Sequence, residues 1–581
     1  MSEIDQKRHT LAHLLAAAVL EHYPKAKPTI GPPVDNGFYY DFEFPKGKAP
    51  GDQDLKKIEE TMRKLLPSWT KFSSEKVSPA KARANAKGNP YKLELIKEIV
   101  KEKKPITFYT CGNFKDLCRG GHSNNPAQEI QADSFKLDRV AGAYWRGNEK
   151  NKMLTRIYGL AFESKAELDT YLKQREEAAK RDHRKLGKEL DLFTFSDLVG
   201  SGLPLFTPKG TILREEINRL SQVLREARGF QKVWIPHITK KDLYETSGHW
   251  AKFGDELFLV KSQETSDQLV MKPMNCPHHQ QIFASKTRSY RDLPIKYLET
   301  TTIYRDEKAG ELQGLSRVRS ITQDDSHIFC TQEQLDAVYT EVLDIVKEFY
   351  KTVQMELRIR LSFSDPKQPE KYLGDKALWK KAENILRDTA KKAGLDFFEA
   401  PGEAAFYGPK IDFMAKDSIG REWQVATAQL DFVQPARFKI AYTAADGSEQ
   451  TPIMIHLAIA GSLERFLSVY IEHTGGNFPI WLSPVQVKIL PVSEKHQLYA
   501  EGILAEFKKA KIRAELDAAD SLGKRIRNAK LEKVPYFIVV GDQEVEAKTA
   551  TLESRNHGKI GALSTTDVIQ RLHQEITSRS A

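Results

Sequence analysis

Hydrophobic and polar positions change period several times along this chain, and each change marks an element. The apolar run from Leu11 to Leu20 is interrupted by His13, which predicts an amphipathic opening helix. Lys7 and Arg8 ahead of that run superficially resemble a signal peptide, but Glu21-His22-Tyr23-Pro24 is no small-residue cleavage site. The turn-rich stretch from Gly31 to Gly37 leads into Phe38-Tyr39-Tyr40-Asp41-Phe42-Glu43-Phe44, aromatic enough to predict a strand. Ser164 and Glu167 have capping-box spacing. From Lys165 to about Lys188 there is no Pro, no Gly before Gly187 and no broad apolar face. That predicts one polar helix of roughly 24 residues, about 36 Å long, suited to separating domains. Leu213, Ile217, Leu220 and Leu224 predict a further helix ended by Gly229, then a strand from Phe230 to Ile235 stopped by Pro236. Beyond 485, strands are expected at Val485–Val492, Ile512–Leu516 and Tyr536–Val540, with helices near 494–510 and 522–533. This βαβαβ rhythm implies a small sheet covered by helices.

A chain of 581 residues is too long for one core. The composition shifts divide it into 1–163, a linker helix at 164–189, a large domain at 190–484 and a tail at 485–581. No segment has the roughly 20 apolar residues that span a bilayer, so no membrane association is expected. Four cysteines are too few for a disulfide framework in a chain of this length, which suits a reducing, cytoplasmic setting. The net charge of +10 permits a polyanionic partner without demanding one.

Two sets of residues carry candidate chemistry. His9 and His13, four apart on the opening helix, project from one face. Far along the chain, Asp116-Leu117-Cys118-Arg119-Gly120-Gly121-His122 supplies a thiol and an imidazole, also four apart. Together they suit either a zinc site or a water-activating hydrolytic pocket. The second set lies between residues 270 and 470. It comprises Met274-Asn275-Cys276-Pro277, Tyr304-Arg305-Asp306-Glu307, Gly314-Leu315-Ser316-Arg317, Thr322-Gln323-Asp324-Asp325-Ser326-His327, Phe406-Tyr407-Gly408-Pro409, Met454-Ile455-His456 and Gly461-Ser462-Leu463-Glu464-Arg465.

The ordered set resembles the threonyl-tRNA synthetases of bacteria, a family of class II aminoacyl-tRNA synthetases, over nearly the whole chain. Arg305 to Arg319 resembles class II motif 2, Gly461 to Phe466 resembles motif 3, and the 213–236 helix and strand resemble motif 1. The resemblance implies an α+β multidomain protein. Its parts would be a class II antiparallel sheet flanked by helices, an α+β editing domain and a C-terminal α/β anticodon-binding domain. It implies ATP-dependent activation of L-threonine, transfer to tRNA, and hydrolysis of mischarged seryl-tRNA.

The same resemblance implies residue roles. Arg305 would hold the α-phosphate and carboxylate, Glu307 the adenine end, and Arg465 the γ-phosphate end of a bent ATP, with Arg317, Gln424 and Ser462 also on the nucleotide. Met274, Gln323, Asp325, Tyr407 and Gln429 would line the threonine pocket. Cys276, His327 and His456 would hold one zinc ion per chain, and Mg2+ would accompany ATP. His9, His13, Tyr40, Lys92, Asp116, Cys118 and His122 would form the editing site. The family uses that site without metal, whereas alanyl-tRNA synthetase editing domains bind zinc through a similar quartet. A homodimer through the catalytic domain is expected.

The two sites need each other chemically. A metal that takes both the α-amine and the β-hydroxyl of threonine rejects isosteric valine, whereas serine lacks only a methyl, worth about 1–3 kcal/mol, and calls for hydrolysis afterwards. Departures from the family pattern are Gly121 before His122 where Pro is common, His278 after Cys276-Pro277 where Gly is usual, and Lys308-Ala309 in place of Pro-Ser. The family's small N-terminal ubiquitin-like domain has no counterpart in this sequence. On the helix after Gly523, Lys524, Arg527 and Asn528 share a face opposite Leu522, Ile526 and Ala529, suited to phosphate contact. Two rival readings are a non-catalytic regulator that binds tRNA or a tRNA-like message, and a hydrolase acting only in trans.

Overall fold

The computed structural model describes residues 1–579 and separates into two compact units, Met1–Glu177 and Ala178–Ala581. In the first, Ser2 caps the helix Glu3–His22 by accepting the Asp5 N–H. The expected amphipathic stripe is broader than predicted: from Thr10 to Val19 every residue but Ala17 is buried. The reason is that strand Gly37–Glu43 and helix Leu55–Leu65 both cover it, so Leu11, Leu14, Leu15, Phe38, Phe42, Ile58 and Met62 form one core. That enclosure draws His13 inward with the apolar side chains. The strand belongs to a five-stranded antiparallel sheet with Lys27–Pro28, Pro33–Val34, Met153–Ala161 and Phe135–Tyr144. A second sheet joins Ser73–Val77, Ile106–Cys111 and Phe114–Leu117, and helix Pro90–Lys101 is capped by Asn89.

The polar helix expected to run to about Lys188 is broken. It comprises Lys165–Arg181 and His183–Glu189. Neither Gly nor Pro breaks it. Asp182 leaves helical backbone (φ −48°, ψ 121°) and caps the following turn by accepting the Arg184 N–H at 2.8 Å. The backbone N–H of His183 is drawn to Glu472 (3.1 Å).

An eight-stranded sheet dominates the second unit. Its order is Gln231–Lys232, Ile295–Tyr304, Ser320–Cys330, Ile453–Ser462, Glu422–Asp431, Lys410–Lys416, Glu356–Phe363, Phe397–Pro401, antiparallel except at both edges. Helices Pro208–Glu226, Leu335–Thr352 and Leu463–Thr474 share one core with it. The strand expected over Phe230–Ile235 is only Gln231–Lys232. Ile235 leaves the ladder because its N–H is taken by the Glu299 carboxylate at 3.0 Å.

A five-stranded sheet follows, in the order Ala514–Leu516, Val487–Pro491, Tyr536–Val540, Ala550–Ser554, Gly558–Leu563. The first three strands are parallel, as the βαβαβ rhythm predicts, and the last two add an antiparallel extension that the reading missed. Among the described residues no helix is long and apolar enough to cross a membrane.

Candidate active sites

Strand alternation and register assemble the first site. Side chains two apart on a strand share a face, so Gln323, Asp325 and His327 point the same way while Asp324 and Ser326 point to the helices beneath. Across the sheet, His327 stands opposite Tyr297 and His456, and His456 opposite Gln429. Asp325 likewise stands between Glu299 and Ala458. Residues far apart in sequence thereby become one row. On the reverse face Asp324 pairs with the fully buried Arg225 of helix Pro208–Glu226 and accepts from Ser221 Oγ at 2.7 Å.

Cys276, at the start of helix Cys276–Ala284, joins that row: the ligand atoms of Cys276, His327 and His456 lie within 4.8 Å of one another. His327 Nε2 is 3.1 Å from His456 Nδ1, and the outer nitrogen of His456 bonds Asp431 Oδ2 at 2.9 Å. Burial holds His327 well below the usual imidazole range, so its ring is neutral. A thiol and two convergent imidazoles, one anchored by a carboxylate, fit a zinc ion and leave a coordination position for another ligand. His278 is buried beside Cys276 with both ring nitrogens unpaired, yet it stays outside this group. His278 therefore does not join the three converging ligands.

Adjacent to the row is a cavity of about 450 Å³, lined by Arg305, Glu307, Arg317, Gln323, Gln424, Ser462 and Arg465 among others. The Gln323 Oε1 acceptor is buried without a partner. Burial lowers Arg305 and Arg465 from the usual guanidinium range, but both remain cations at neutral pH. Arg317 ties down Glu307 with a 2.7 Å ion pair and also meets Glu311 at 2.8 Å. Ser462 caps the Leu463–Thr474 helix by accepting the Arg465 N–H at 3.2 Å, which fixes where Arg465 begins. Gln424 is spoken for by Asp412 and Arg360, both at 2.8 Å. Tyr407 donates to Gln429 and stacks on His456 with ring centroids 4.8 Å apart. Asp325 is buried and its carboxyl raised by that burial, with Asn275 donating to it at 3.0 Å. Met274 is part-buried against the neighbouring apolar cluster, its carbonyl accepting from Tyr244 at 2.9 Å.

Sequence reasoning missed three groups here. His249 is almost fully buried against Phe406 and Tyr407, with Nε2 unpaired, and burial pushes it down to about 3. His279 and Glu299 stand behind His327. A lone His in His249-Trp250 or a Glu within a strand carries no spacing signal, so only the fold reveals them.

The first unit brings together all seven residues of the other set. Cys118 Sγ lies 3.5 Å from His9 Nε2 and 3.4 Å from His122 Nε2, and the ligand atoms of His9, His13, Cys118 and His122 fall within 4.8 Å. Behind them Tyr40 donates to Asp116 at 2.5 Å, Lys92 pairs with Asp116 at 2.6 Å, and His13 Nδ1 is 3.6 Å away from the same carboxylate. A cavity of about 700 Å³ opens onto His9, His13, Lys92, Asp116 and Cys118. Burial drives His13 well below its usual range and His122 down to about 2, and lifts the Cys118 thiol to about 11. Neutral imidazoles around one thiol can accept a proton from water or hold a cation. Gly121 sits at φ +86°, which the fixed ring of a proline cannot adopt, so the missing Pro changes the path of the loop. Asp182, His183 and Glu472 form a third cluster of ligand-type groups. Its imidazole is already committed, Nδ1 to Glu472 (2.7 Å) and Nε2 to the Leu315 N–H (3.1 Å).

Known domain families and proteins match most of this chain. The family described as "tRNA synthetase class II core domain (G, H, P, S and T)" matches residues 258–474, and "Anticodon binding domain" matches 486–575. "Threonyl and Alanyl tRNA synthetase second additional domain" matches 106–158. The chain is 47% identical over 587 aligned positions to a threonine–tRNA ligase of Gloeobacter violaceus, covering 99% of this chain and 92% of that protein. A threonine–tRNA ligase of Rubrobacter xylanophilus is 46% identical, with 98% and 89% covered. A solved structure of the RNA-binding domain of threonyl-tRNA synthetase from Cryptosporidium parvum superposes with a TM-score of 0.65 at 36% identity, covering 68% of this chain and 98% of that one. Identity at this level, sustained from end to end, means that the chain belongs to the threonine–tRNA ligase family.

Proposed function

We propose that the protein condenses L-threonine with ATP to threonyl adenylate, transfers the threonyl group to the 3′ end of threonine tRNA, and hydrolyses seryl-tRNA in a separate pocket. The observation carrying this reading is the convergence of Cys276, His327 and His456 beside a cavity lined by Arg305 and Arg465. Both arginines hold charge that shifts as the threonine carboxylate attacks the α-phosphate and pyrophosphate leaves; Mg2+ arrives with the nucleotide. Gln323, with its free acceptor, and Asp325 orient the amino acid, Tyr407 and Met274 close its pocket, and Gln429 holds the Tyr407 hydroxyl. Glu307, Arg317, Gln424 and Ser462 shape the nucleotide end. Cys276, His327 and His456 would hold a zinc ion, which would supply a Lewis acid able to discriminate threonine by its amine and hydroxyl. In the editing pocket His9, His13, His122 and Cys118 position a water, while Tyr40, Lys92 and Asp116 fix the pocket's wall.

The organisation we infer is an editing domain at 1–163, a linker at 164–189, a catalytic domain at 190–484 and an anticodon-binding domain at 485–581. A homodimer through the catalytic domain fits the exposed Trp234 (77%) and Ile238 (45%). Four unpaired cysteines suit the cytoplasm. Aminoacylation assays with threonine, serine and valine in parallel, with metal analysis of the purified protein, test the whole reading. Threonine charges, valine is rejected by about 10⁴–10⁵-fold, and one zinc is found per chain. Absence of threonine-dependent pyrophosphate exchange in zinc-loaded protein would favour the regulator, and deacylation without any charging the trans-acting hydrolase.

A further inference from the structure

We propose that Glu299 and His279 are positioning residues that fix the tautomer of His327, and so determine how tightly the site holds its metal and threonine. The proposal rests on the zinc reading above and goes one layer behind it. His279 and His327 are almost completely buried, at 0% and 1% exposure, and Glu299 is 6% exposed. None of the three can exchange its partner for bulk water.

The distances dictate where the protons sit. His327 Nε2 faces His456 Nδ1 at 3.1 Å, so Nε2 is the nitrogen that must offer its lone pair to a metal. Its proton is then on Nδ1, which lies 2.8 Å from His279 Nδ1. Two N–H groups cannot face each other at that distance, so His279 Nδ1 is the acceptor and carries no proton. The ring proton of His279 is therefore on Nε2, which lies 3.5 Å from Glu299 Oε2; both atoms are buried and neither has a hydrogen-bond partner, so this approach is an electrostatic one. The other Glu299 oxygen is pinned by the Ile235 N–H at 3.0 Å, so the carboxylate cannot turn away. Hydrogen bonds fix Glu299 to the backbone where the 230–236 segment leaves the sheet and His279 to His327, and the buried approach of the Glu299 carboxylate to His279 Nε2 couples the two. His456 has a separate anchor in Asp431, so the two imidazoles are held by different devices. Outer partners of metal ligands typically govern affinity by 10–100-fold.

Glu299→Gln is the discriminating change because it keeps size and shape. The Gln oxygen must still accept from Ile235, which turns the amide NH2 toward His279 Nε2. That donor meets the existing N–H head-on or forces the proton to Nδ1, where it opposes the His327 proton. His279→Leu removes the acceptor altogether, whereas His279→Gln presents an amide oxygen in its place.

The experiment measures zinc affinity of the full chain by competition with a fluorescent chelator, KM for threonine and for ATP, and thermal melting. Expected are a roughly 10–100-fold loss of zinc affinity in Glu299→Gln and His279→Leu and a raised threonine KM at unchanged ATP KM. His279→Gln recovers most of both. Unchanged zinc affinity in Glu299→Gln overturns the proposal. So does equal loss in His279→Leu and His279→Gln accompanied by equal loss of melting temperature, the signature of a packing role. A parent chain that binds no zinc would sink the metal reading itself, and this proposal with it.

Discussion

Lys272 is an ammonium group at 0% exposure whose Nζ donates to Thr301 Oγ1 at 2.9 Å. Desolvation lowers it to about 8, with the carboxylates of Glu299 and Asp325 pulling the other way. The sign follows from linkage: the unfolded chain keeps this proton until about 10.4, and the folded chain releases it near 8. Between those values the unfolded state binds more protons, so rising pH stabilises the folded state. Urea unfolding of the parent and Lys272→Met at pH 7.5 and 9.5 should show the parent gaining on the variant at the higher pH. A constant difference between them would mean that the ammonium is solvated. Cys276 shows the opposite relation between burial and charge: burial pushes its thiol far above the ordinary range, so a bound cation is what makes a thiolate there favourable.

Between elements, the decisive joint is the one under the sheet. Arg225 on helix Pro208–Glu226 pairs with Asp324, and its guanidinium also donates to the Asp325 carbonyl at 3.1 Å and Ser326 Oγ at 2.7 Å. The pairing of Ser320–Cys330 with Ile453–Ser462 shifts register between Gln323 and Asp325, and the Ala460 N–H reaches across to Asp324 at 3.0 Å. The helix that resembles motif 1 thus grips the strand that presents Gln323, Asp325 and His327. Arg225→Met leaves a buried carboxylate without its cation and should cost about 3–5 kcal/mol in equilibrium unfolding. Adding Asp324→Asn should return part of that loss, and a double variant no better than the single one would contradict the ion pair's role. The broken helix at Asp182 belongs to this scale as well. Its polar pattern was legible, but the break depends on Glu472, nearly 300 residues away in the chain.

For the whole molecule, the two constellations lie in separate compact units, so lesions in one should spare the chemistry of the other. Cys276→Ala is expected to lose zinc and threonine charging while still hydrolysing seryl-tRNA. His13→Ala should keep its zinc and charge threonine, but accumulate seryl-tRNA. Metal analysis and deacylation assays on the pair check this, and loss of zinc on replacing His13 would instead assign metal to the first unit. By itself the sequence determined the kinds of element, the two sets of reactive side chains and the family, because periodicity, caps and motif spacing are local properties of the chain. Tertiary structure decided the rest. It set which imidazoles meet, that His279 and Glu299 stand behind His327, that His249 closes against Tyr407, and that His278 stays apart. Those outcomes follow from strand register and from burial on both faces of a sheet, which bring together side chains such as His279 and His327, 48 residues apart, and His327 and His456, 129 apart, and no local pattern encodes such distances.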